Sequence, residues 1–414
     1  MKVLFTLGGL PHYYNSVLNR LNRIGDLEIV VVAPNEKGKT IGKGVHQKKE
    51  GIEFRLIQLD EYTTFYKKPF LKGFSALLKE EKPDVIVTIW PYILAFIFVP
   101  KLNIRVLSGK IKLLLKEIPF GVPKLKNAIG YYSNKNLRAE NLEIPVSSNK
   151  FINIFKFGLL TFFRLIYYHY CKAYLNYIEE AFEILGSYGI NKHSIFITYN
   201  SPDTEVLFKA KEEVDKSGLI LPENKFRLIH VGRLVKWKRV DLLIKTTAQL
   251  KNKFPDVELV VIGEGPQINE LKSMADSLNI KEKIKFIGSI YNPVLLGKYF
   301  KVSSVYVLAG MGGLSINEAM SFGKPIICSV CDGTEKKLVR EGFNGLFFKE
   351  GDEADLYRKI DYLFSNPELI ENMGKNSFKI IQDEVNIHTV ISGYVRAFNY
   401  VSKNKFNLKY NRQR

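Results

Sequence analysis

Three cysteines in 414 residues, Cys171, Cys328 and Cys331, are too few, and odd in number, for a disulfide framework, so a reducing compartment is the simpler reading. Cys328-Ser-Val-Cys331 is a lone C-x-x-C with no second pair and no histidine beside it, and it reads as the end of a buried strand, not a zinc site. No uncharged run approaches the roughly 20 residues that cross a bilayer. The longest, 85–100, contains Pro91 and reads as a buried strand followed by a turn and helix. The N-terminal run ends at Gly8-Gly9 without a long apolar core or a small-residue cleavage site, so it predicts a first strand and not a signal peptide. Nucleotide-binding G-x-G-x-x-G and G-x-x-x-x-G-K-[ST] fingerprints, helix-turn-helix, zinc-finger and RNA-binding signatures, low-complexity tracts and short repeats are all missing, and no metal cluster is visible.

What is present is ordinary globular composition, 46% hydrophobic and 25% charged, with a net charge of +19. That charge is uneven. Residues 101–172 carry 13 basic and 3 acidic side chains, 173–402 carry 29 of each, and 403–414 add five basic residues with no acid. The basic section includes the aromatic run 151–172, in which Lys156, Arg164 and Lys172 recur every eight residues and so share one side of a helix. A basic helix with Phe, Leu and Tyr on its other faces suits the lipid headgroup region; the competing reading is a buried helix with snorkelling cations. An anionic membrane surface is thus the expected partner, nucleic acid is not, and the expected location is cytoplasmic, peripheral on the inner face of the cell membrane.

Strand-like and amphipathic runs alternate along the chain, the pattern of parallel α/β construction. Strands are predicted at 2–7, 27–33, 52–59 and 84–89, and the rhythm restarts with strands at 226–231, 257–262, 284–287, 304–308 and 325–328 separated by helices. Two successive doubly wound, Rossmann-like halves follow, 1–204 with the basic, aromatic segment and 205–385, with a closing helix and basic tail at 386–414.

Two stretches of the second half carry chemistry. Arg233 and Lys238 sit where a strand gives way to a helix, the position at which doubly wound domains bind ligands, and a planar guanidinium with a flexible ammonium suits a diphosphate. Gly310, Gly312 and Gly313 end another strand, and Glu318 in the following helix can accept two hydrogen bonds from a ribose diol. Gly8-Gly9, by itself a weak signal, lets backbone N–H groups approach an anion.

With Val231-Gly-Arg-Leu-x-x-x-Lys238, Val261-Ile-Gly-Glu-Gly-Pro266, Phe286-Ile-Gly288, Gly313-Leu-x-x-x-Glu-Ala-Met-x-x-Gly-x-Pro325 and Asp332-Gly-Thr-Glu335 in that order, the chain resembles glycosyltransferase family 4, the group 1 family of retaining transferases. The resemblance covers roughly residues 200–400 and implies the GT-B fold, two Rossmann-like domains facing across a cleft. It implies that Arg233 and Lys238 hold a donor diphosphate and that Glu318 binds the ribose. Donor-binding backbone would come from Gly8, Gly9, Gly232, Ile287, Gly288, Gly310, Gly312, Gly313 and Leu314. The donor is a nucleotide-diphosphate sugar, a substrate, with no cofactor and no metal; the acceptor is a lipid-linked or growing glycan hydroxyl, and retention at the anomeric carbon is inherited from the family.

Two departures stand out. The family's first glutamate, eight positions before Glu318, is replaced by Gly310. No histidine lies between His46 and His169, so the family's histidine after the fourth strand has no counterpart; His12 and Glu117 are the substitutes as acid or base, each also readable as structural. The loss at Gly310 motivates a rival reading, a non-catalytic nucleotide-sugar-binding subunit of a glycan assembly complex. A sugar-nucleotide epimerase is the other alternative.

Overall fold

A computed structural model describes residues 1–35, 47, 49–64, 68–117, 122–128, 150–331 and 333–402. The basic tail 403–414, Asp332 and the Lys156 side chain lie outside the described residues. The chain divides into two compact units, Met1–Tyr199 with His388–Arg414, and Asn200–Ile387.

The first unit is built on strands β1 (Lys2–Thr6), β2 (Glu28–Pro34), β3 (Arg55–Leu59), β4 (Glu61–Thr63), β5 (Pro69–Leu71), β6 (Val85–Thr88), β7 (Leu113–Lys116), β8 (Ala173–Asn176) and β9 (Ile195–Ile197). Seven form one parallel sheet in the order β3-β2-β1-β6-β7-β8-β9, while β4 and β5 pair antiparallel. Strand β2 shows why the sheet is parallel and covered: Ile29 to Val32 are all fully buried, so both faces are apolar without alternation. The last helix (Ile387–Ser402) packs in this unit, setting Tyr394 and Phe398 against Phe5 at ring separations of 6.1 and 6.5 Å.

The 151–172 run forms one helix, Lys150–Tyr170. Its charge placement differs from the even stripe expected from the sequence. Arg164 is only 6% exposed and donates from Nε to Tyr167 Oη at 3.1 Å, because the second half of the helix is built into the core with Tyr167 and Tyr168 fully buried. Among the described residues no helix is long and apolar enough to cross a membrane.

The second unit contains β10 (Arg227–Val231), β11 (Glu258–Ile262), β12 (Ile284–Gly288), β13 (Val305–Leu308), β14 (Ile326–Cys328) and β15 (Gly345–Phe347). They pair in parallel in the order β12-β11-β10-β13-β14-β15. Chain order runs outward from β10 to β12 and then restarts on the other side at β13, so the switch point lies between β10 and β13. The helix Thr204–Asp215 belongs to this unit: Lys301 Nζ donates to the carbonyls of Val214, Asp215 and Ser217, satisfying its C-terminal end.

Candidate functional site

At the switch point the loops after β10 and β13 are tied together. The turn Lys236–Lys238 lies beneath the second loop: Met311 N donates to Trp237 O at 2.9 Å, and Lys238 Nζ donates to the carbonyls of Met311 and Gly312, both at 2.7 Å. A cation that is only 7% exposed needs such partners. The Arg233 guanidinium carbon is 5.7 Å from the centre of the Trp237 ring, a cation–π contact that holds the side chain at the same turn. Gly313 lies close above, where an added Cβ would stand 3.1 Å from Lys238 Nζ.

The floor is backbone against backbone. A Cβ on Gly263 would fall 1.9 Å from Gly232 O, and Gly263 has φ +136°, so only glycine serves there. Gly310 is similarly closed: its Cβ would fall 2.1 Å from Trp237 O and 2.8 Å from the Lys238 carbonyl carbon. The position where the resemblance expects a carboxylate therefore has no room for any side chain, which gives that departure a steric cause.

Glu318 stands on the helix Ser315–Ser321, which begins after Leu314. It is half-buried, its carboxylate makes no hydrogen bond or ion pair with the described residues, and its desolvation raises the carboxyl pKa to about 7. Below it, buried Tyr306 bonds Ser315 Oγ through its hydroxyl at 2.7 Å; burial and the Glu318 charge both push its pKa up. Ile287 and Gly288 end β12, where Gly288 O accepts from Gly263 N at 2.8 Å, placing them along the same carboxyl edge.

His230 carries a feature that sequence reading missed. Fully buried, it makes an Nδ1 contact of 3.0 Å with Val307 O, so Nδ1 carries the proton and Nε2 is left an acceptor without a partner among the described residues. Burial first, and the Lys238 charge, lower its pKa to about 4 despite the bond to Val307. Its ring lies under Gly232, whose added Cβ would be 3.4 Å from Nε2. A histidine in an apolar strand gives no sequence signal of which nitrogen is satisfied.

The remaining expected residues belong to the first unit. Gly8 and Gly9 are buried between β1 and the helix His12–Asn22, and His12 is exposed at the start of that helix, its ring edge-on to Tyr13. Glu117 follows β7 and accepts from Tyr168 Oη at 2.5 Å and from Tyr167 Oη at 3.4 Å. Desolvation raises its pKa against the lowering effect of Arg164 and the two tyrosines.

Two parallel sheets, one with the dinucleotide-fold strand order and an anion-ready switch point, define a GT-B type protein. Residues 211–380 match the family described as glycosyl transferases group 1. An uncharacterized glycosyltransferase of Haemophilus influenzae is 30% identical over 181 residues, 42% of this chain and 50% of that protein. The alpha-monoglucosyldiacylglycerol synthase of Acholeplasma laidlawii is 27% identical over 203 residues, 48% of each. The chain thus spans about half the length of these curated relatives. A solved structure of Anabaena HepE in complex with UDP shares the fold with a TM-score of 0.63 at 15% identity, over 96% of this chain and 100% of that one.

Proposed function

We propose that the chain transfers a sugar from a nucleotide-diphosphate sugar to a lipid-linked or growing-glycan hydroxyl, with retention at the anomeric carbon, at the inner face of the cell membrane. The observation that carries the reading is Glu318: a desolvated carboxylate without a partner among the described residues, on the loop-and-helix that Lys238 ties to Arg233's turn. A ribose diol supplies the two donors such a carboxylate lacks. Arg233 and Lys238 supply positive charge where the leaving diphosphate gains negative charge, which lowers the barrier to breaking the glycosidic bond to phosphate. The donor is consumed as a substrate, and these side chains need no cofactor for that role. UDP bound to the HepE fold makes UDP-sugars the first donors to test.

The test is to incubate the full chain with a panel of nucleotide sugars and a membrane lipid extract, following nucleoside diphosphate release and labelled product. The reading expects release that depends on the extract. Conversion of the donor without extract favours the epimerase, and binding without release favours the non-catalytic subunit suggested by Gly310.

A further inference from the structure

The first half of the helix Lys150–Tyr170 exposes a stripe of large apolar side chains. Ile152, Phe155, Leu159 and Phe162 are 53%, 75%, 43% and 56% exposed, at spacings of three, four and three residues, so they line one face over three turns. Phe157 and Thr161, between them in sequence, are buried on the opposite side. A neighbouring helix, Pro100–Leu107, is joined to this one by Asn103 Nδ2 donating to Tyr170 Oη at 3.1 Å. It exposes Ile104 and Leu107, with exposed Lys101 and Lys110 on either side of them in the chain. Single exposed leucines need no explanation, but an ordered stripe of this size on a soluble surface does.

We infer that this stripe is the surface by which the chain seats itself in an anionic lipid bilayer, the helix lying in the headgroup plane. The inference rests on the reading above that the acceptor is offered at a membrane, and names the part of the chain that meets it. Spanning is excluded by construction: the second half of the same helix is core, with Tyr167 and Tyr168 fully buried. Charge decides between lipid and a second copy of the chain. A two-fold dimer would bring the same patch face to face, and with it the exposed Lys101 and Lys110 of each copy. Anionic lipid instead complements that charge, while the apolar stripe supplies burial that does not depend on salt.

The experiment sediments the full chain with vesicles of phosphatidylcholine alone and of phosphatidylcholine with an equal part of phosphatidylglycerol. The stripe predicts binding to the anionic vesicles and roughly tenfold weaker binding by F155S/L159S/F162S. A second variant, F155W, retains binding, and its added emission is quenched by brominated lipid. Should the triple variant fail to fold, the quenching decides. Equal vesicle binding by wild type and a folded triple variant overturns the inference, as does unquenched F155W emission or a wild-type dimer that the triple variant converts to monomer. UDP binding is measured in the same samples. Lost vesicle binding by wild type with intact UDP binding overturns the surface alone, and vesicle binding without any sugar transfer overturns the transfer reading alone.

Discussion

At the residue scale the proposed chemistry turns on Glu318 and Gly310. A carboxyl raised to about 7 is the acceptor for two hydroxyls only when ionised, so UDP affinity should fall as pH drops below about 7. Titration at several pH values checks this: wild type weakens on acidification, E318Q is weaker throughout and flat, and equal slopes would contradict the role. Arg233→Ala should lower turnover roughly 100-fold by removing charge from the leaving diphosphate; a loss of only a few-fold removes Arg233 from the machinery. Gly310→Glu reinstates the family's carboxylate in sequence but not in space, since the first added atom meets Trp237 O at 2.1 Å. Its thermal unfolding should drop by roughly 2 kcal/mol or more of stability, with turnover reduced. A stable, more active G310E would show that the loop opens.

At the scale of elements, β10 and its neighbours carry a pH signature. His230, buried neutral with a pKa of about 4 against 6.5 when free, contributes stability that is whole above pH 6.5. That contribution is lost as pH falls toward 4, by about 3 kcal/mol at the limit. Glu318 works oppositely: its raised pKa gives a contribution present below about 4.5 and lost as pH rises through about 7. Urea unfolding of E318Q should therefore expose a loss of stability on acidification from pH 6.5, and His230→Gln on that background should flatten it; an unchanged slope would mean that His230 ionises freely. Five of the six strands of the second sheet were legible as valine- and isoleucine-rich runs, and they match within a residue or two; β15, Gly345–Phe347, is three residues long and was not. Strands β7 and β8 were not legible. Leu113–Lys116 is a short apolar run among lysines, and Ala173–Asn176 has four residues, too few for a period. Arg164 was misread for a related reason: spacing places a charge on a helix face, but only packing reveals that tyrosines enclose it. The tie between Lys238 and the carbonyls of Met311 and Gly312 joins residues 73 and 74 positions apart, and no local pattern encodes it.

For the whole molecule, charge is unevenly divided. The second unit, with 27 basic and 26 acidic residues over 200–387, holds the switch point, and the basic excess falls outside it. In the proposed reaction Arg233, Lys238 and Glu318 meet one nucleoside diphosphate, and a crystal structure of the full chain soaked with UDP is the decisive experiment. Phosphate oxygens should lie within about 3 Å of Arg233 or Lys238 nitrogens and both ribose hydroxyls within about 3 Å of the Glu318 carboxylate. A nucleotide bound elsewhere, or one whose ribose leaves Glu318 untouched, would contradict it.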